Sequence, residues 1–239
     1  MSTLPAAVKH RFISTGSIEI DKKMGGGIPE GSLILIEGQS NAGKSVVTQQ
    51  LVNGALESGC RCALFTTENT PRSLFRQMES LSLDVSDFFL LGAFNVYPVP
   101  AAMTEGAATG VFDMLIQHIA ALHGKFDIIF VDSITSFVSQ VPENATLSFL
   151  SALKRFCDEN MTIFMTIHSY AFDEGMFIRM RSICDAHLRL RVEEVGDQLV
   201  KVLEVAKVRG AEKTTGNIIT FDVEPGLGMR IVPISKAKA

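Results

Sequence analysis

What the sequence lacks narrows it first. It has four cysteines, Cys60, Cys62, Cys157 and Cys184, and no two of them have the C-x-x-C spacing of a zinc or redox site. Four is also far below the density of a disulfide-stapled scaffold, so reduced thiols are expected. No stretch reaches the roughly 18 uninterrupted apolar residues that a membrane-spanning helix needs. The first residues, Met1 to Phe12, hold no apolar signal-peptide core, which points to a cytoplasmic protein. Charge of either sign is in short supply: 22 Lys and Arg face 26 Asp and Glu, a net −4. Such a balance creates no global field for polyanions and disfavours general nucleic-acid binding. Internal repeats, heptads and low-complexity segments are absent.

What is there suffices for a large core. Of the 239 residues, 46% are hydrophobic and 20% charged, a balance that folds without metals or disulfides. A single domain over residues 1–239 is expected. Short apolar runs alternate with segments of helical period. Leu33 to Glu37 reads as a strand, and Val46, Val47, Leu51, Val52, Ala55 and Leu56 then recur at helical spacing up to Gly59. Cys62 to Thr67 is a second strand, followed by a helix opened by Pro71. The run Phe88 to Val96 precedes a loop with Pro98 and Pro100, and Val111 to Ile119 carries another helical stripe. Asp127 to Asp132 and Met161 to Ile167 read as buried strands, separated by a helix for which Asn144 is a suitable N-cap. After Asp185 the pattern becomes β-rich, with runs at Ala186 to Glu193, Leu199 to Lys207, Asn217 to Val223 and Met229 to Ile234, the first two about a Gly196-Asp197 turn. The fold class that follows is α/β: a mostly parallel central sheet with flanking helices and a C-terminal antiparallel β extension.

The strongest motif is Gly38-Gln39-Ser40-Asn41-Ala42-Gly43-Lys44-Ser45, a full match to GxxxxGK[ST] lying between a buried strand and an amphipathic helix. Its glycines let successive amides turn inward, and the helix N-terminus adds about half a positive charge toward a phosphate. Ser40, Asn41, Ala42, Gly43, Lys44, Ser45 and Val46 are therefore the expected ATP cradle, with Lys44 on the β- and γ-phosphates and Ser45 on Mg²⁺. Asp132, closing the run Ile128-Ile129-Phe130-Val131, is expected at the carboxyl edge of the sheet, where it would hold the Mg²⁺ through its water shell. Hydrolysis further requires a group that orients the attacking water. Glu68, just after the strand Cys62 to Thr67, is the candidate, with Asn69 beside it.

These residues carry a resemblance that covers nearly the whole chain. Gly25-Gly26-Gly27-Ile28-Pro29, the phosphate loop, Thr67-Glu68-Asn69-Thr70-Pro71, Gln77-Met78-Glu79-Ser80-Leu81, Asp132-Ser133 and Lys207-Val208-Arg209-Gly210 together resemble the KaiC-like branch of the RecA-type P-loop ATPases. Within that branch the chain resembles the archaellum accessory family. The resemblance implies a RecA-like core and a homo-oligomeric, hexameric ring controlled by ATP. It also implies contacts with the archaellum assembly ATPase and with a polytopic membrane platform protein, through which the chain would be recruited to the membrane. KaiC-type domains carry two adjacent glutamates before the Thr-Pro turn. Here the pair is Glu68-Asn69, so water activation is incomplete and slow or absent hydrolysis is expected.

Lys207 and Arg209 follow a strand on one side of an extended chain. In KaiC-like rings the matching residues reach the neighbour's phosphates, which would link nucleotide to assembly; the other reading is an exposed, charged strand end. His168 and Thr166 stand where RecA-type domains sense the γ-phosphate, a role that competes with ordinary loop hydrogen bonding. Arg179 and Arg181 occupy the region that faces DNA in recombinases, but their apolar neighbours suit a protein contact as well. Ser182 resembles an autophosphorylated position of the clock kinase. Three functions stay open: a regulatory ATP-binding ring component, a competent ATPase or autokinase, and, least favoured by the acidic charge, a recombinase-like DNA-binding ATPase.

Overall fold

The segment Leu33–Gly38 has no polar face, and the reason is visible in its neighbours: helices cover the sheet on both sides. The computed structural model of the chain describes residues 12–100, 108–138, 141–195, 198–211 and 217–232. The elements run β1 (Phe12–Ile13), α1 (Ile18–Lys23), β2 (Ile28–Pro29), β3 (Leu33–Gly38), α2 (Lys44–Glu57), β4 (Cys62–Thr66), α3 (Pro71–Ser80), α4 (Ser86–Leu90), β5 (Phe94–Pro98) and α5 (Ala108–Leu122). They continue with β6 (Ile128–Asp132), α6 (Thr135–Val138), α7 (Glu143–Asp158), β7 (Thr162–His168), α8 (Glu174–Ile183), β8 (Ala186–Val195), β9 (Gln198–Val208), β10 (Ile218–Glu224) and β11 (Gly228–Ile231).

Among the described residues nine strands form one sheet in the order β11-β10-β9-β8-β3-β7-β6-β4-β5, and β1 pairs with β2 apart from it. From β8 through β5 every pairing is parallel, whereas β9, β10 and β11 add on antiparallel. The α/β class and its antiparallel C-terminal extension thus stand as the sequence implies. Period-two alternation divides each central strand between two cores. Ile34, Ile36, Leu64, Phe130 and Phe164 face the layer that holds α2, while Leu33, Leu35, Ala63, Phe65, Ile129 and Met165 face the layer of α5 to α8.

Several local expectations shift. The run from Phe88 to Val96, left unassigned between helix and strand by its pattern, divides between the two: α4 ends at Leu90 and the chain turns through Gly92 into β5. The N-cap of α7 is Pro142, not Asn144, because the helix starts one residue earlier than the first good capping side chain. Segment 174–183 is a regular helix, α8, capped by Asp173 accepting from the Met176 amide at 2.8 Å. The Gly196-Asp197 turn lies outside the described residues.

Candidate functional site

The parallel register decides where the functional side chains meet. Gly38 at the end of β3 is level with His168 at the end of β7, and Thr66 at the end of β4 is level with Asp132 at the end of β6. Four strand ends therefore open onto one cleft at the carboxyl edge, as open parallel sheets favour. The cleft, about 550 Å³, is lined by Ser40, Asn41, Gly43, Lys44, Ser45, Val46, Glu68 and His168, with Lys201 and Val223 on its far wall.

Residues 39–43 curl back with Asn41 at φ 60 and Gly43 at φ 93, both left-handed. Gly43 has a further constraint: a Cβ there would stand 3.1 Å from the Phe221 ring. Gly43 is the N-cap of α2 and no side chain caps that helix, so its first turn of amides faces the cleft without a competing carboxylate. Lys44 is buried, and its Nζ donates to the carbonyls of Gly38 at 3.1 Å and Gln39 at 2.8 Å and stands 3.1 Å from His168 Nδ1. Burial lowers the Lys44 ammonium below its ordinary value against the opposing charges of Asp132 and Glu68. His168 is lowered too, by burial first and by the Lys44 cation second. Both effects favour the uncharged imidazole, whose Nδ1 stands within donating reach of Lys44 and whose Nε2 lies 3.8 Å from Glu68 Oε1.

Asp132 is 5% exposed, accepts from Thr166 Oγ1 at 2.5 Å and is hydrogen-bonded to Ser45. Burial pushes its carboxyl above the ordinary range, and the Glu68 charge adds to this, against the Thr166 and Ser45 hydrogen bonds and the Lys44 cation. The peptide between Asp132 and Ser133 is cis. Thr67 ties the two strand ends together, its amide donating to the Asp132 carbonyl at 3.0 Å and its hydroxyl to the Ser133 carbonyl at 3.3 Å.

The residues present fit a magnesium nucleotide. The uncapped helix start and the buried lysine suit phosphate oxygens, and the paired Ser45 hydroxyl and Asp132 carboxylate suit a hard cation that keeps most of its waters. Among the described residues no cluster of three or more His, Cys, Asp or Glu stands together.

Glu68 and Asn69 diverge. Both amides point at Thr66 Oγ1, at 3.3 and 3.1 Å, but Glu68 reaches toward the cleft while Asn69 Oδ1 accepts from Gln77 Nε2 at 2.8 Å on α3. Lys207 and Arg209 lie at the other end of the sheet, since Lys207 is level with His187 and Val208 with Ala186, which pairs Ile34 near the start of β3. There Lys207 Nζ donates to the carbonyls of Arg181 at 2.9 Å and Cys184 at 2.6 Å, closing the C-terminus of α8, and Arg209 donates to the Ser182 carbonyl at 3.2 Å. Ser182 is exposed at this same end.

Two features escaped sequence reasoning. Lys201, on β9, stands within 3.4 Å of the Gly43 Cβ position, brought there by antiparallel pairing that no local motif announces. Glu37, next to the phosphate loop and 2% exposed, accepts from Arg181 at 2.7 Å and contacts His187 Nε2 at 3.0 Å. A lone glutamate in an apolar strand was the available signal. Arg181 also pairs with Glu174, and Arg179 with Glu143, so both arginines of the region compared with a DNA-facing loop are committed to carboxylates.

A glycine-rich strand–loop–helix with its lysine, its serine and a strand-end aspartate, set in a mostly parallel sheet, defines a P-loop nucleotide-binding fold. The profile of the KaiC ATPase family matches residues 13–236. The archaeal flagellar ATP-binding protein FlaH of Sulfolobus acidocaldarius is 31% identical over 231 residues, covering 95% of this chain and all of that one. FlaH of Methanocaldococcus jannaschii is 28% identical over 214 residues, 89% of this chain and 91% of the relative. The crystal structure of flagellar accessory protein FlaH from M. jannaschii superposes with a TM-score of 0.82 at 25% identity, covering 94% of this chain and 100% of that one. The chain belongs to the KaiC-like family of RecA-type ATPases, in its FlaH branch.

Proposed function

We propose that the chain is an ATP-binding regulatory ring component of the archaellum machinery, whose bound nucleotide sets assembly and partner contact while hydrolysis is slow or absent. The observation that carries this reading is the separation of its parts. Phosphate loop and Glu68 stand at one end of the sheet, and Lys207, Arg209 and Ser182 at the other. The two cations do not line their own cleft and are suited to the nucleotide of a second copy, where their charge would make assembly depend on nucleotide.

Within one subunit the α2 amides and Lys44 hold the phosphates, and Lys44 must leave the Gly38 and Gln39 carbonyls to do so. Its departure also frees His168, next to Glu68, to respond to a terminal phosphate. Ser45 and Asp132 would hold Mg²⁺, which when bound would neutralise phosphate charge. Glu68 orients water without a second carboxylate beside it, which supports binding over turnover. The relatives' names, flagellar accessory and flagellar ATP-binding, support placement at the archaellum, while an assembly ATPase and a membrane platform protein as partners rest on the family resemblance alone. Among the described residues no helix is long and apolar enough to cross a membrane.

Exposure of Ser182 beside Arg209 favours one second reading, phosphorylation of Ser182 in trans. Light scattering with ATP, with ADP and without nucleotide, alongside measured phosphate release and phosphopeptide mapping, tests both. An ATP-dependent ring with little phosphate released is the expected result. A monomer under all three conditions, or rapid turnover, would overturn the first reading.

A further inference from the structure

We propose that Gln77 is a positioning residue that holds the side chain at position 69 against α3 and out of the nucleotide cleft, so that Glu68 acts alone. The proposal rests on the reading of Glu68 as the carboxylate that orients water.

The geometry is a chain of amides between two helices. Gln49, five residues past Lys44 on α2 and 3% exposed, donates from Nε2 to Gln77 Oε1 at 3.2 Å. This fixes the face of the Gln77 amide, whose Nε2 then donates to Asn69 Oδ1 at 2.8 Å and to Ser73 Oγ at 3.3 Å. Ser73 Oγ in turn donates to Asn69 Oδ1 at 3.4 Å. Everything that meets the Asn69 oxygen is a donor. A carboxylate at this position would be held in the same place and more firmly, because charge-assisted hydrogen bonds are about twice as strong as neutral ones. The missing second carboxylate is therefore not the only thing that limits this cleft; the clamp would keep a carboxylate away from the water even if one were supplied. The phosphate-loop helix sets the clamp through Gln49, which ties the turn carrying Glu68 to the element that binds phosphate.

Single-turnover phosphate release from Mg-ATP, together with equilibrium ATP binding, tests this on the full chain. Asn69→Glu alone is expected to raise release by less than about twofold, whereas Asn69→Glu with Gln77→Leu raises it by about tenfold or more, a modest share of what a positioned general base supplies. Asn69→Glu with Gln77→Lys is expected to stay with the single variant, because the ammonium pairs with the new carboxylate and retains it. Leucine and lysine have nearly equal helix propensity and position 77 is exposed, so general loosening of α3 would affect both double variants alike. ATP affinity is expected to change little, placing the gain in kcat and not in KM. A full gain from Asn69→Glu alone, or equal rates in the leucine and lysine variants, would overturn the proposal. Adding Glu68→Gln to the leucine variant separates the two levels: loss of the gain supports both, and its persistence would refute the role of Glu68 while leaving the Gln77 comparison readable.

Discussion

Lys44 has two competing sets of partners, the carbonyls of its own loop and the phosphates of a nucleotide. Both are oxygen acceptors, and the second set carries the larger negative charge. Lys44→Ala is therefore expected to remove most of the stabilisation that Mg-ATP gives the parent, which amounts to about 4 kcal/mol at a ligand concentration of 1,000 Kd. Thermal unfolding with and without Mg-ATP checks this, and an undiminished shift would remove Lys44 from the site. Glu37 illustrates a different use of charge. Burial pushes its carboxyl up, but hydrogen bonds and charges from His187 and Arg181 outweigh burial and leave it lowered. Its ionised form is thus favoured in the folded state, and the stability this contributes is fully present above the ordinary glutamate value. It is lost as pH falls through the lowered folded value. Glu37→Gln leaves the part-buried Arg181 with Glu174 as its remaining carboxylate and is expected to cost about 1–3 kcal/mol near neutral pH. Urea denaturation of parent and variant should show that difference shrinking below about pH 4, the range in which an ordinary glutamate protonates.

At the scale of elements, α2 carries a glycine where helix propensity alone argues against one. Gly54 lets the segment before α1 lie directly on the helix: a Cβ there would stand 2.3 Å from the Gly16 amide nitrogen and 2.3 Å from the Thr15 carbonyl carbon. In an open helix Gly→Ala stabilises by about 1 kcal/mol. Here the sign is expected to reverse, with Gly54→Ala lowering the unfolding midpoint in urea and exposing the 14–16 segment to proteolysis. A stabilised variant would show that this segment does not pack on α2. The end of α8 is governed by a side chain far along the sequence, since Lys207 closes two of its terminal carbonyls. Any role for Lys207 on a neighbour's phosphate requires it to leave them.

That requirement becomes measurable for the whole molecule. In the isolated subunit Lys207→Ala is expected to cost about 1–3 kcal/mol, the range for hydrogen bonds from a charged donor, while the more exposed Arg209 costs less. Both variants are expected to weaken the ATP-dependent oligomer and to spare ATP binding by the subunit, because neither residue lines its own cleft. Light scattering across a concentration series, with nucleotide affinity measured in parallel, checks this. An oligomer indifferent to loss of both cations would return Lys207 and Arg209 to a purely structural role at the end of α8.

The sequence alone determined the phosphate loop, the strand-end Asp132, the alternation that makes a mostly parallel sheet, and the family resemblance. These are legible because each depends on residues close together in the chain: a glycine pattern, a four-residue apolar run, a hydrophobic period. Where helix and strand share a short apolar run, as from Phe88 to Val96, periodicity did not separate them. Tertiary structure decided which side chains meet across the sheet. Register placed His168 beside Lys44 and Glu68, antiparallel pairing brought Lys201 over Gly43, and packing of α8 on β3 joined Arg181 to Glu37 across 144 positions. It also turned Asn69 away from Glu68, although the two are adjacent, because the donors that meet Asn69 are set by how α3 lies on α2. Direction and pairing of this kind arise only when the elements pack, so no local pattern encodes them.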